Sequence, residues 1–182
     1  MSSHDEFRKL MATPELPRLG PQGRGGTLAI DELNRALDGF FTREKIAIWG
    51  QPLLRSAALF WHDHLDASHA ISQNIETGDG SWLHGLMHRR EPDYANAKYW
   101  FGRVGRHQAF PKIAPRLAAL LHNDRGGLAE RLIDKGEWKP FAFIDECERA
   151  EQGGDATLTA VLQQIQAAEF DVLVEYILSH PP

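Results

Sequence analysis

Cysteine is almost missing from this chain: Cys147 is the only one in 182 residues. An internal disulfide is therefore excluded, and a reducing compartment is expected. Long apolar runs are missing too. No stretch reaches the ~18 residues that a membrane-spanning helix needs. Charge of one sign is scarce, with 20 Lys and Arg against 25 Asp and Glu and a formal net charge of −5. With no long basic run, neither a nucleic-acid partner nor an anionic membrane surface is expected. Alternating strand patterns are nearly absent as well, the best being the four residues Ile46-Ala47-Ile48-Trp49. The first eleven residues are polar and charged, without the apolar stretch of a secretory signal, so a cytoplasmic protein is expected. What remains is an ordinary globular composition, 42% hydrophobic, at a length suited to one domain with a real core.

Residues 1–26 read as a loop-rich N-terminal extension, punctuated by Pro14, Pro17, Gly20, Pro21, Gly23, Gly25 and Gly26. Leu10, Met11, Leu16 and Leu19 could dock it as a strap. Its glycines resemble a phosphate-cradling loop in composition only, because the Gly-Lys-Ser/Thr ending is missing. Residues 27–182 read as a single helical domain. Helical spacing starts at Asp31 and predicts short helices at 31–37, 81–90, 94–104, 115–122 and 128–134. Ser81, Asp93 and Pro115 serve as start signals, and the turn from Asn123 to Gly127 as a stop. Pro140 opens a helix with Phe141, Ile144 and Cys147 on one face. Two long helices, 51–75 and 157–179, are expected at the centre. The fold class is all-α, an irregular bundle of about seven or eight helices.

Histidine is the enriched residue, with nine in the chain and five of them between His62 and His88. On a continuous helix from 51 to 75, Arg55, His62, Asp66, His69 and Gln73 fall within a stripe about 60° wide. A solvent face would carry Lys and Glu instead. His64 points away from the stripe, toward a role of its own. The next helix presents His84 and His88 four residues apart, on one face. A short Gly-rich connection makes the two helices antiparallel neighbours. Rise arithmetic then sets His69 level with His88, with Asp66 about a turn above and Gln73 and His84 about a turn below. His62 lies roughly 10 Å from His69, too far to share an ion. His107 and His122 sit at helix ends, and His4 and His180 are read as terminal.

Three chemistries fit this cluster. Asp66, His69, His84 and His88 could supply the N and O ligands of a divalent metal. Asp66 could instead orient His69 as a metal-free general base. Or the group could be a hydrogen-bonded network that fixes helix register. The H-x3-D-x2-H and H-x3-H spacings match no specific metal motif, and His62-Asp63 lacks the upstream histidine of an HD-type hydrolase. Beside the cluster, Arg89 or Arg90 could grip a small anionic molecule through the guanidinium fork. Asn96 and Lys98 are candidate pocket-edge groups, with Gln73, for the same ligand.

The stretch Gly80-Ser81-Trp82-Leu83-His84-Gly85-Leu86-Met87-His88-Arg89-Arg90-Glu91-Pro92-Asp93-Tyr94, running through Asn96-Ala97-Lys98-Tyr99-Trp100-Phe101, resembles an uncharacterised family of bacterial and fungal proteins. Trp61-His62-Asp63 and Ser68-His69 fit the same pattern, so the resemblance spans roughly Phe60 to Phe110. It marks that segment as a unit and implies no reaction, cofactor or partner. Two readings of function follow. One is a metal-dependent or general-base enzyme acting on a small anionic substrate. The other is a structural or interaction protein in which the cluster stitches helices together.

Overall fold

The computed structural model describes residues 2–122, 124 and 126–180. It is all-α, an irregular bundle with 68% helix and 2% strand. In chain order the helices are α1 (Ser3–Leu10), α2 (Ile30–Arg43), α3 (Gly50–Trp61), α4 (Leu65–Ser72) and α5 (Gly78–Arg90). They are followed by α6 (Tyr94–Val104), α7 (Phe110–Leu120), α8 (Leu128–Leu132), α9 (Pro140–Gly153) and α10 (Ala156–Ser179). A two-stranded antiparallel hairpin, β1 (Ile133–Asp134) and β2 (Glu137–Trp138), lies between α8 and α9. Its two-residue turn, Lys135-Gly136, takes positive φ at both positions, the geometry that matches strand twist.

Local chemistry sets most boundaries. Asp93 caps α6 by accepting the Asn96 amide at 3.2 Å, and Asp155 caps α10 through Thr157 and Leu158. Thr77 rather than Ser81 caps α5, accepting from Gly80 at 3.1 Å. Pro111 stands in the first turn of α7, and Pro115, expected as the first residue, lies inside it. Phe141 turns outward, and the buried face of α9 is Phe143, Ile144, Cys147 and Ala150. Of the turn expected after α7, Asn123 and Arg125 lie outside the described residues.

Two departures from the periodicity matter most. First, the N-terminal residues, read as a loop-rich extension that could dock as a strap, include a helix and core side chains. They carry α1, opened by a Ser2–Asp5 capping box, and bury Phe7, Met11 and Leu19 in the common core. His4, far from idle, sits 3.0 Å from Asp171 on α10. Second, the helix expected over 51–75 is two helices. It breaks at His62-Asp63-His64, where Asp63 adopts φ 66°. Neither glycine nor proline marks that left-handed residue, so hydrophobic spacing carries no sign of it.

The break and the strap hold each other. The Pro/Gly-rich strap forms no ladder of its own, so its buried backbone groups need side-chain partners. Arg24, whose side chain is fully buried, donates its backbone N–H and Nε to Asp63 Oδ2, both at 3.1 Å. Its remaining nitrogens reach Thr13 Oγ1 and the carbonyls of Glu15 and Trp61. From α5, Arg90 approaches Asp63 Oδ1 to 2.9 Å and donates to the carbonyls of Gly20 and Phe60. Gln166 on α10 donates to the carbonyls of Pro17 and Arg18. The Leu28 N–H donates to His62 Nδ1 at 3.1 Å, so the proton sits on Nε2, which donates to Leu10 O at 2.8 Å. His64 donates to Leu28 O. His62 and His64 are thus strap fasteners, and His62 belongs to no ligand stripe.

The most enclosed helix is α5, not the pair expected. Every residue from Gly80 to Arg90 is buried, so α5 is the axial member that the other helices cover. Gly85 permits this. A Cβ there would lie 2.8 Å from the buried Phe101 ring, so α6 packs on bare backbone.

Two outcomes are expected. Asp63→Ala leaves Arg24 and Arg90 buried without their carboxylate and should lower unfolding free energy by about 3–5 kcal/mol in chemical denaturation. A loss below about 1 kcal/mol would contradict the role given to Asp63. The second concerns pH. Burial holds the His62 imidazole below its ordinary 6.5, outweighing the Leu10 carbonyl, which favours the proton. Above pH 6.5 the ring is neutral folded and unfolded alike. Below it the unfolded ring gains a proton that the folded ring refuses, so stability falls as pH falls. His62→Gln should flatten that slope by up to one proton, ~1.4 kcal/mol per pH unit. An unchanged slope would show that the ring titrates alike in both states.

Candidate metal centre

Three imidazoles converge where α4 crosses the axial helix. One ring nitrogen from each of His69, His84 and His88 lies within 4.8 Å of the others. His69 Nε2 and His84 Nε2 face each other at 2.9 Å. The His84 and His88 rings, one turn apart on α5, stack with centroids 4.8 Å apart. His69 meets both rings, at 4.7 and 5.2 Å. His84 and His88 are buried and His69 is half-buried. Trp100 of α6 stacks on the outer face of His84 at 3.9 Å.

The cluster is not a closed hydrogen-bond network. At 2.9 Å, one of the two facing Nε2 atoms must carry a proton and the other a lone pair. Whichever way that falls, His84 Nδ1 is left buried with no partner among the described residues, either as an orphan donor or as an orphan acceptor. Burial, then the neighbouring His88 and His69, push the His84 imidazole down to about 4. Burial likewise lowers His88, with His69 adding to the effect and Asp93 opposing it. At neutral pH His84 and His88 therefore hold lone pairs, the form that a metal ion needs.

Carboxylates border the rings. Glu91 Oε2 lies 3.5 Å from His88 Nδ1, and Asp93 Oδ2 lies 3.9 Å from the same nitrogen. Burial raises the Glu91 carboxyl, with His69 pulling it back and Asp66 and Asp93 adding to the rise. Of the two carboxylates, Glu91 is the nearer to His88. Its place at the C-cap of α5, three residues beyond His88, was the available signal.

Compared with protein-family models, with curated proteins and with solved structures, the chain matches none. The meaning of the site rests on its chemistry.

The other expected site residues scatter. His84 is in contact with His69, not a turn away from it. Asp66 and Gln73 are exposed, and no hydrogen bond or ion pair joins Asp66 to His69 among the described residues. The break before α4 ends the register that lined Asp66, His69 and Gln73 up with Arg55 and His62. Arg55 instead binds Asn34 and Asp38. Asn96 does reach the cluster, its amide donating to His88 Nε2 at 3.0 Å. Lys98 pairs with Asp145 at 2.5 Å.

Arg89 and Arg90 are fully buried and engaged inside the protein, so neither is presented to a small anion. Arg90 belongs to the strap, as described above. Arg89 Nη2 lies 2.7 Å from Glu169 Oε2 on α10, and its guanidinium covers the Phe143 ring at 4.4 Å. Trp82 Nε1 donates to the other Glu169 oxygen at 3.3 Å. Cys147 is buried, and desolvation pushes its thiol up to about 12, so it is no nucleophile at neutral pH.

Glu169→Gln leaves the Arg89 charge buried without a counterion and should cost about 3–5 kcal/mol of stability. The double variant Arg89→Met/Glu169→Leu should recover most of that loss in the same denaturation experiment. A double variant as unstable as the single one would show that packing, not charge pairing, governs this position.

Proposed function

We propose that this protein binds a divalent transition metal through His69, His84 and His88. The observation that carries the reading is the convergence of three ligand nitrogens within 4.8 Å on two crossing helices. A tetrahedral ion ~2.1 Å from each nitrogen sets them about 3.4 Å apart, so on binding the 2.9 Å His69–His84 contact would open slightly and the outlying nitrogen would move in. Imidazoles suit Zn, Cu, Fe and Ni, and three protein ligands leave a coordination position open. His88 Nδ1 faces the Glu91 carboxylate, the usual second partner of a metal-bound imidazole, and an ion at His88 Nε2 would take the place of the Asn96 amide there.

A metal held this way supplies Lewis acidity and lowers the pKa of a bound water. Around it, the chain would exclude solvent with Trp100 and orient His88 with Glu91. A hydrolytic or hydrating enzyme acting on a small molecule is the reaction class that this arrangement serves. If the substrate is anionic, the metal itself and not Arg89 or Arg90 would meet its charge.

Protein purified without an affinity tag and titrated with Zn²⁺ in a calorimeter should bind about one equivalent per chain. His69→Ala and His88→Ala should each abolish that binding, while Glu91→Gln should weaken it about 10–100-fold. Absence of binding by the folded wild-type protein would overturn the reading. It would favour the alternative, in which the short His69–His84 contact is a hydrogen bond that fixes the α4–α5 register.

A further inference from the structure

The rim of the imidazole cluster is acidic. Glu91 Oε2 and Asp93 Oδ2 lie 3.5 and 3.9 Å from His88 Nδ1. Asp66 stands on α4 three residues before His69, nearly one turn, and its charge reaches Glu91 together with that of Asp93. All three carboxylates meet water: Glu91 is half-buried, and Asp66 and Asp93 are exposed. Among the described residues none of them pairs with a Lys or Arg, and His88 is the ion-pair partner of both Glu91 and Asp93.

The carboxylates enclosed elsewhere in the fold are neutralised: Asp63 by Arg24 and Arg90, Glu169 by Arg89, and Glu146 by Arg131 and Arg149. The permanent cations that flank the cluster in the chain are engaged away from it, Arg89 and Arg90 in those pairs and Lys98 with Asp145. Arg103 lies over the Trp100 ring at 5.4 Å. No Lys or Arg is among the charged groups acting on His84, His88 or Glu91. With neutral imidazoles, a bound dication would leave its two positive charges facing three carboxylates, an excess of one negative charge. A second anionic group on a ligand would therefore meet unpaired carboxylates, whereas an ammonium group would find acceptors of opposite charge.

We propose that the substrate of this centre is a small cationic molecule, carrying an ammonium group beside the group that meets the metal. The proposal rests on the metal reading and names the class of molecule that the site would admit. The three converging ring nitrogens make the site, and the rim of Asp66, Glu91 and Asp93 selects what enters it. An anionic substrate, expected while Arg89 and Arg90 were read as free, loses both of its partners.

The test loads tag-free protein with Co²⁺ and follows its visible absorption at about pH 8 while three ligands are titrated in. They are 1-(3-aminopropyl)imidazole, 1-propylimidazole and 1-(2-carboxyethyl)imidazole. All offer the same ring nitrogen to the ion and differ in the charge of the chain on the other nitrogen: positive, neutral and negative. At low salt the cation should bind at least about tenfold more tightly than the anion, with the neutral ligand between them. The ratio should fall toward one in about 0.5 M salt, because the rim is open to water. Asp66→Asn/Asp93→Asn, which keeps an N-cap for α6, should remove most of the preference while the Co²⁺ spectrum persists. Equal binding of the three ligands, tighter binding of the anion, or binding of none to the Co²⁺-loaded wild-type protein would overturn the proposal. So would a preference that the double variant leaves unchanged. Failure of the folded wild-type protein to take up Co²⁺ at all would instead overturn the metal reading, and this proposal with it.

Discussion

A backbone segment that runs through the interior without helix or ladder must have its N–H and C=O groups bound by something else, and this requirement organises the molecule. The strap between α1 and α2 meets it with side chains from distant parts of the chain: Arg90, Gln166, His62 and His64 bind its backbone, and its own Arg24 binds Asp63. Asp63 lies at the centre, between two buried guanidiniums and at the point where α3 gives way to α4. The same residue therefore fastens the strap, ends one helix and ties the start of the next to the end of α5. The direction in which α4 leaves that knot brings His69 to His84.

Permanent and conditional charges are divided between two tasks. The buried Arg24, Arg89 and Arg90 each meet an internal carboxylate, Asp63 or Glu169, and serve the fold. At the candidate centre the buried polar groups are imidazoles, and burial keeps His84 and His88 from taking protons. A charged cluster at that place would repel a cation. A neutral one offers lone pairs.

Much of this was legible in the sequence, and what was not has physical reasons. The start of α6 follows from Asp93, whose capping chemistry is local. Helical rise and a short connection bring His69 beside α5, level with His88, but do not give its contact with His84. The break at Asp63 left no trace, because it is held by Arg24 and Arg90, 39 and 27 residues away in the chain. Losing the break also misplaced Asp66 and Gln73. Arg89 and Arg90 looked free to grip an anion because their counterions, Glu169 and Asp63, adjoin them only in space. The apolar side chains that could dock the strap were legible, but its enclosed backbone was not, since Pro and Gly mark irregular backbone whether it is solvated or enclosed.

The most direct test of the central claim is the X-ray absorption spectrum of tag-free protein loaded with one equivalent of Zn²⁺. The account predicts nitrogen scatterers at ~2.0–2.1 Å, with the multiple-scattering pattern of three imidazoles. That pattern should be missing from His69→Ala, which does not retain the ion. A wild-type spectrum of oxygen ligands alone, without imidazole scattering, would contradict it.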